Sequence, residues 1–322
     1  MKYGIIYGNW IIAFESENRT LIKNWQLKMD PKLVAQICYI ADRSQFLKYL
    51  KKIEYKNSEL ERSSWDLEMS RINQYEEIFQ LPYQPKVSVI LASYNSTKTI
   101  ENAIRSIVKQ NYNNIELIVI DDGSTDDSLE KIKKMKNKYE DRITKFSILR
   151  NDNNSGVYYS RNRGIKASSG EIIAIQDADD ISDGSRLLRS VWHLIDSEVD
   201  FVLANGIKLN EVGNLNAVRV AMATLVIRRD FYERYGYYDE ETRHSGDLEI
   251  LDRAYFMKYG NYEMDNFWYW LNFTDFKEKF YKHIYDNLYY IKEEETGITK
   301  NNNFIKRLDY LNNRRKMMKN KM

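Results

Sequence analysis

Ile172-Ile173-Ala174-Ile175-Gln176-Asp177-Ala178-Asp179-Asp180 is the stretch on which the fold turns. An uninterrupted apolar, β-branched run reads as a strand covered on both faces, the kind found inside a mostly parallel sheet. Ligands in such sheets gather beyond the carboxyl ends of the strands. This strand ends in three aspartates within four residues. Charges so close repel one another unless a cation offsets them. Hard divalent ions take carboxylate oxygens, and Mg²⁺ commonly bridges them to substrate phosphates. The stretch indicates a metal–phosphate site, with a solvated acidic turn as the plainer alternative.

Working outward, strand and helix patterns alternate from residue 86. Strands are expected over 87–91, 115–120, 146–149 and 170–176, with helices over 99–110, 126–139 and 158–167 between them. Strands separated by helices of this length predict an α/β fold: a mostly parallel central sheet, right-handed crossovers and flanking helices. Beyond residue 180 the pattern loosens into a helix over 186–194, strands over 199–204 and 218–227, and a short aromatic helix over 231–235. Leu81-Pro82-Tyr83-Gln84-Pro85 is a rigid boundary. Residues 1–84 before it are expected to form an N-terminal accessory region with a strand-like start followed by helices. Residues 85–266 then form one domain in two halves, 85–180 and 181–266. Residues 267–322 are an aromatic and basic helical extension.

The 49 basic and 47 acidic side chains nearly cancel, so global charge makes no case for nucleic acid as a partner. Cys38 is the sole cysteine, which excludes an internal disulfide framework. No run approaches the roughly 18–20 apolar residues needed to span a bilayer. The apolar patch over 3–14 reads as a strand or hairpin rather than a secretory signal. A cytoplasmic protein, with the inner face of the cell membrane as an option, is expected.

Four blocks, in order, carry a family resemblance. Val87-Ser88-Val89-Ile90-Leu91-Ala92-Ser93-Tyr94-Asn95 resembles the opening strand and loop of family 2 glycosyltransferases. Ile118-Val119-Ile120-Asp121-Asp122-Gly123-Ser124-Thr125-Asp126 resembles their second strand and nucleotide loop. Asn154-Ser155-Gly156 followed by Ser160-Arg161-Asn162-Arg163-Gly164 is similar to their third block, and Asp177-Ala178-Asp179-Asp180 to their metal-binding block. The resemblance covers about residues 86–180 and continues more weakly to about 255.

It implies a GT-A fold, a nucleotide-diphospho-sugar donor, a divalent metal (Mn²⁺ or Mg²⁺) and inversion at the anomeric carbon. Tyr94 would pack on the nucleotide base and Asp122 would hydrogen-bond to it. Ala92, Asp121, Arg161, Asp177 and Ala178 complete the donor-binding set. Asp179 is the first metal ligand, with Asp177 contributing directly or through water. Arg161 matches a position near the phosphates or the acidic loop, and a structural salt bridge is its other reading. Gly123 suits a tight turn, and Ser124 or Asp126 suits a helix cap.

On the acceptor side, His244-Ser245-Gly246-Asp247-Leu248-Glu249 resembles the segment that carries the family's general base. Many members have Glu-Asp where this chain has Gly246-Asp247. The resemblance assigns Asp247 as the base that takes a proton from the acceptor hydroxyl, while a helix cap is the structural alternative. His244 is a candidate for tuning that base or binding acceptor. Trp268 and Trp270 are candidates for stacking on sugar rings, or the edge of a core. A second departure is Gly184, where the family often has proline.

The expected activity is metal-dependent inverting transfer of a sugar, UDP-linked by family resemblance, to a hydroxyl of a glycan or lipid-linked saccharide in cell-surface polysaccharide synthesis. Protein glycosylation is the alternative enzyme reading, and a noncatalytic carbohydrate-binding or scaffold protein the alternative of another class. Residues 302–322 place Phe304, Ile305, Leu308 and Leu311 at largely helical spacing among seven basic residues opposed by Asp309 alone. That pattern suits peripheral contact with an anionic membrane, or intramolecular docking.

Overall fold

The structure is a computed structural model and describes residues 81, 83–196, 199–209, 215–242, 245–260 and 280–292. The first half alternates as its sequence pattern dictates: β1 (Val87–Ser93), α1 (Ile100–Val108), β2 (Ile115–Asp121), α2 (Ser128–Tyr139), β3 (Lys145–Arg150), α3 (Val157–Ala167) and β4 (Ile172–Asp177). Then come β5 (Ile181–Ser182), α4 (Arg186–Asp196), β6 (Phe201–Leu209), β7 (Leu215–Arg228), α5 (Asp230–Tyr235), α6 (Gly246–Tyr259) and β8 (Tyr281–Lys292). Every residue of β2 is buried, which is why its pattern is continuous rather than alternating. The sheet divides the core. Val89, Leu91, Leu117 and Val119 face α1, α2 and α4. Ile90, Ile118, Ile120 and Ile175 face α3, α5 and α6. Each such side chain contributes about 1.5–3 kcal/mol by leaving water.

The eight strands run β3-β2-β1-β4-β7-β6-β8-β5. The expectation of a GT-A fold with a mostly parallel central sheet is corrected here. The β3-β2-β1-β4 half is parallel, as is β6-β8, but β4-β7, β7-β6 and β8-β5 are antiparallel. The result is a curled, partly antiparallel half-barrel rather than a flat parallel sheet. The cause lies in connection length. Only residues 210–214 separate β6 from β7, whereas a parallel neighbour needs a crossover of about a dozen residues or more. A short link forces the chain to turn straight back. Among the described residues, no helix is long and apolar enough to cross a membrane.

One buried carboxylate pins the far edge of the parallel half. Glu116 sits in β2 with no exposed surface. It accepts from Ser88 Oγ (2.6 Å), the Ser169 backbone N–H (2.7 Å) and Lys145 Nζ (2.8 Å). Burial pushes its pKa up, but the bonds from Lys145, Ser88 and Ser169 win and hold it down at about 2.

Candidate active site

Register brings the residues that the resemblance assigns to donor binding to one edge. Ala92 lies opposite both Ile120 and Asp177, and Ser93 opposite Asp121. The carboxyl ends of β1, β2 and β4 therefore deliver Tyr94, Asp121, Asp122 and Asp177 side by side, with Ala178 buried just behind. Tyr94 is 44% exposed, a large ring left in solvent at a strand end. The turn after it is held by cross-ties. Asn95 adopts positive φ and donates its N–H to Ser124 Oγ (3.0 Å), while its side-chain oxygen accepts the Thr125 N–H (2.9 Å). Gly123 has φ of +71°, and a Cβ there would meet the Asn153 backbone at 2.7 Å. Ser124 braces the neighbouring loop instead of capping α2, while Asp126 accepts from the Ser128 N–H at the start of α2 (3.0 Å).

The two neighbouring aspartates of the second block sit in opposite situations. Asp122 is held from both oxygens: Asn151 Nδ2 (2.6 Å) and the Ser155 N–H (2.9 Å) donate to one, and the Gly156 N–H (2.8 Å) to the other. Its carboxylate thus fixes the loop that enters α3. Asp121 is fully buried and neither oxygen has a hydrogen bond, with Arg150 Nε 3.5 Å away.

Arg161 links the two halves of the site. Its guanidinium is 4% exposed, donating from Nη2 to Asp177 Oδ1 (2.7 Å) and from Nη1 to Asp247 Oδ1 (2.6 Å). Burial works against its charge, but Asp247 and Asp177 outweigh that and raise its pKa well above the usual arginine range. The cation also lies over the rings of Tyr158 (5.4 Å) and Tyr238 (5.8 Å). Tyr158 donates its hydroxyl to the other oxygen of Asp247 (3.3 Å). Burial first, then the Asp247 charge, pushes that phenol's pKa up, so it stays a donor.

The same ring accounts for the glycine in place of the family's acidic neighbour. A Cβ on Gly246 would meet Tyr158 Cζ at 2.7 Å and both Cε atoms at 2.8 Å. Asp247 lies in the first turn of α6, which starts from Ser245 in the left-handed region (φ 64°) without a side-chain cap. Asn162 holds the preceding loop, exchanging bonds with the Tyr238 backbone (2.8 and 3.0 Å) and donating to Glu240 Oε1 (2.9 Å).

Oxygens of Asp177, Asp179 and Asp180 lie within 4.8 Å of one another. This all-carboxylate donor set suits a hard divalent ion, and Arg161 engages only one oxygen of Asp177. His244, Trp268 and Trp270 lie outside the described residues, as do 1–80 and 293–322. Arg228 and Arg229 do not reach the site: their guanidinia bind the carbonyls of Val199, Leu194 and Gly170.

Sequence reasoning missed Tyr158 and Asn151. Tyr158 had a signal, since it stands three residues before Arg161 on one helix face. Asn151 was visible only as part of a polar loop.

The profile of "Glycosyl transferase family 2" matches residues 88–267, more than half of the sequence. The chain belongs to that family, which classes it as a glycosyltransferase. It is 41% identical over 110 residues to the putative glycosyltransferase EpsE of Bacillus subtilis (strain 168), 34% of this chain and 38% of that protein. It is 34% identical over 119 residues to the Escherichia coli protein named UDP-Glc:alpha-D-GlcNAc-diphosphoundecaprenol beta-1,3-glucosyltransferase WfgD, 37% of this chain and 45% of that one. The match spans less than half the length of either relative. Among solved structures, S. aureus TarS 1-349 in complex with UDP-GlcNAc superposes with a TM-score of 0.53 at 21% identity, covering 67% of this chain and 60% of that one. At that identity the likeness concerns the fold.

Proposed function

We propose that the chain transfers a sugar, with inversion, from a UDP-sugar to a hydroxyl of a glycan or lipid-linked saccharide in cell-surface polysaccharide synthesis. The observation that carries this reading is Arg161, which ties Asp177 of the acidic loop to Asp247 through one buried guanidinium. The group that would hold the donor's diphosphate and the group that would deprotonate the acceptor are thereby set at a fixed separation. The UDP-Glc in the name of WfgD and the UDP-GlcNAc in the TarS complex support uridine as the nucleotide.

Asp179, with Asp177 and Asp180, would hold Mn²⁺ or Mg²⁺. When bound, such an ion offers Lewis-acid stabilisation of the leaving diphosphate. Tyr94 offers a ring face to the base, and Asp121 brings two buried acceptor oxygens to the same strand ends. Arg161 and Tyr158 orient Asp247 from opposite oxygens. A carboxylate has about four lone-pair sites, so these contacts leave room for a substrate hydroxyl. In the transfer, the acceptor oxygen forms a bond to the anomeric carbon, the bond from that carbon to the diphosphate breaks, and the hydroxyl proton goes to Asp247.

The test is Asp247→Asn in the full chain, assayed with UDP-sugars and lipid-linked saccharides. Transfer should fall by about 10²–10⁴-fold, with donor affinity close to that of the wild type. Transfer at wild-type rate would assign the base elsewhere.

A further inference from the structure

The acidic loop over 177–180 is anchored from a strand that lies past residue 267, where the family match ends. Tyr289 of β8 is fully buried. Its hydroxyl accepts the backbone N–H of Asp177 (3.0 Å) and lies 3.2 Å from the Nε2 of Gln176. Just past the loop, β5 pairs with the same strand, Ile181 opposite Tyr290 and Ser182 opposite Tyr289. Both ends of the loop are therefore fixed to β8.

Beneath it lies a buried cation. Arg186 of α4 has no exposed surface and donates to Gln176 Oε1 (3.1 Å), Ser182 Oγ (2.7 Å) and the carbonyls of Ile175 (2.6 Å) and Ala223 (3.1 Å). Its guanidinium stacks 5.2 Å from the Tyr289 ring centroid. Gln176 completes the platform, giving its amide N–H groups to the carbonyls of Asp177 (2.9 Å) and Asp180 (3.0 Å). Burial lowers the pKa of Arg186 to about 10, so it remains charged at neutral pH, below a loop of three carboxylates.

We infer that Tyr289 is a positioning residue for the divalent-cation site: β8 belongs to the donor site, and its hydroxyl sets the geometry in which the three aspartates meet an ion. This rests on the proposed reading of that loop as the metal site. Partners that orient metal ligands typically matter about 10–100-fold in metal affinity, because a misaimed carboxylate must be re-ordered on binding.

The experiment is calorimetric titration of Mn²⁺ into the full chain, wild type against Tyr289→Phe and Tyr281→Phe. Tyr289→Phe removes one oxygen and keeps the ring on Arg186. Tyr281→Phe removes a hydroxyl at the other end of the same strand, where the ring stacks on Phe201 (5.4 Å). Tyr289→Phe should weaken Mn²⁺ binding about 10-fold, and Tyr281→Phe should leave it unchanged. Wild-type affinity in Tyr289→Phe, or equal losses in the two variants, overturns the inference while the metal site stands. A wild type that binds no Mn²⁺ sinks the metal-site reading and this inference together. Hydrogen exchange in the wild type gives a second reading if a variant does not fold. The Asp177 amide should be protected without metal, and exchange at the rate of an open loop would overturn the assignment.

Discussion

Gly246 and Tyr158 share one volume. The ring is backed by Tyr238, with centroids 5.4 Å apart, and by the Arg161 cation, so it cannot easily swing away from a new methyl group. Gly246→Ala should therefore cost about 1–3 kcal/mol and, by moving the first turn of α6, displace Asp247 and slow transfer. Adding Tyr158→Leu should recover stability but not the full rate, since the hydroxyl that bonds Asp247 is gone. Urea unfolding and initial rates across the double-mutant cycle check this. Additive losses in stability would mean that the two residues do not compete for space. At this scale the resemblance led to Arg161, Asp177 and Asp247, which the structure brings into one network. The reason for the departure at residue 246 was not legible, because it lies 88 positions away in sequence, in Tyr158.

Among elements, Asp122 does the joining. Its carboxylate takes two backbone N–H groups at the entrance to α3 and the Asn151 amide, so the end of β2 and the start of α3 are held as one unit. Asp122→Ala leaves those donors unpaired and should cost about 1–3 kcal/mol, read as a lower thermal midpoint in the absence of any nucleotide. An unchanged midpoint would show that the bonds are replaced by solvent. The strands over 87–91, 115–120, 146–149 and 170–176 were legible because apolar runs between helical patterns have few other readings. The order of the later strands was not. The short β6–β7 link could have signalled an antiparallel pair, but the place of β8 beside β6 and β5 depends on tertiary packing that no local pattern encodes.

For the whole molecule, Glu116 links acid stability to the parallel half of the sheet. Its pKa falls from an ordinary 4.5 to about 2 on folding. A depressed carboxylate contributes stability that is present above its unfolded pKa and lost as pH falls from about 4.5 through about 2. Glu116→Gln should be less stable at neutral pH and show a shallower decline across that window. Denaturant midpoints at several pH values check it, and an unchanged slope would place the acid sensitivity elsewhere.

The central claim, a nucleotide-sugar donor site completed by a divalent ion on Asp177, Asp179 and Asp180, is tested most directly by calorimetry. A panel of nucleotide-sugars would be titrated into the full chain with Mn²⁺, with Mg²⁺ and with chelator, and the titrations repeated for Asp179→Asn. The account predicts that a UDP-sugar binds with metal, that chelator abolishes the binding and that Asp179→Asn weakens it severely. No binding by folded protein across the panel, or binding indifferent to both chelator and Asp179→Asn, would contradict it.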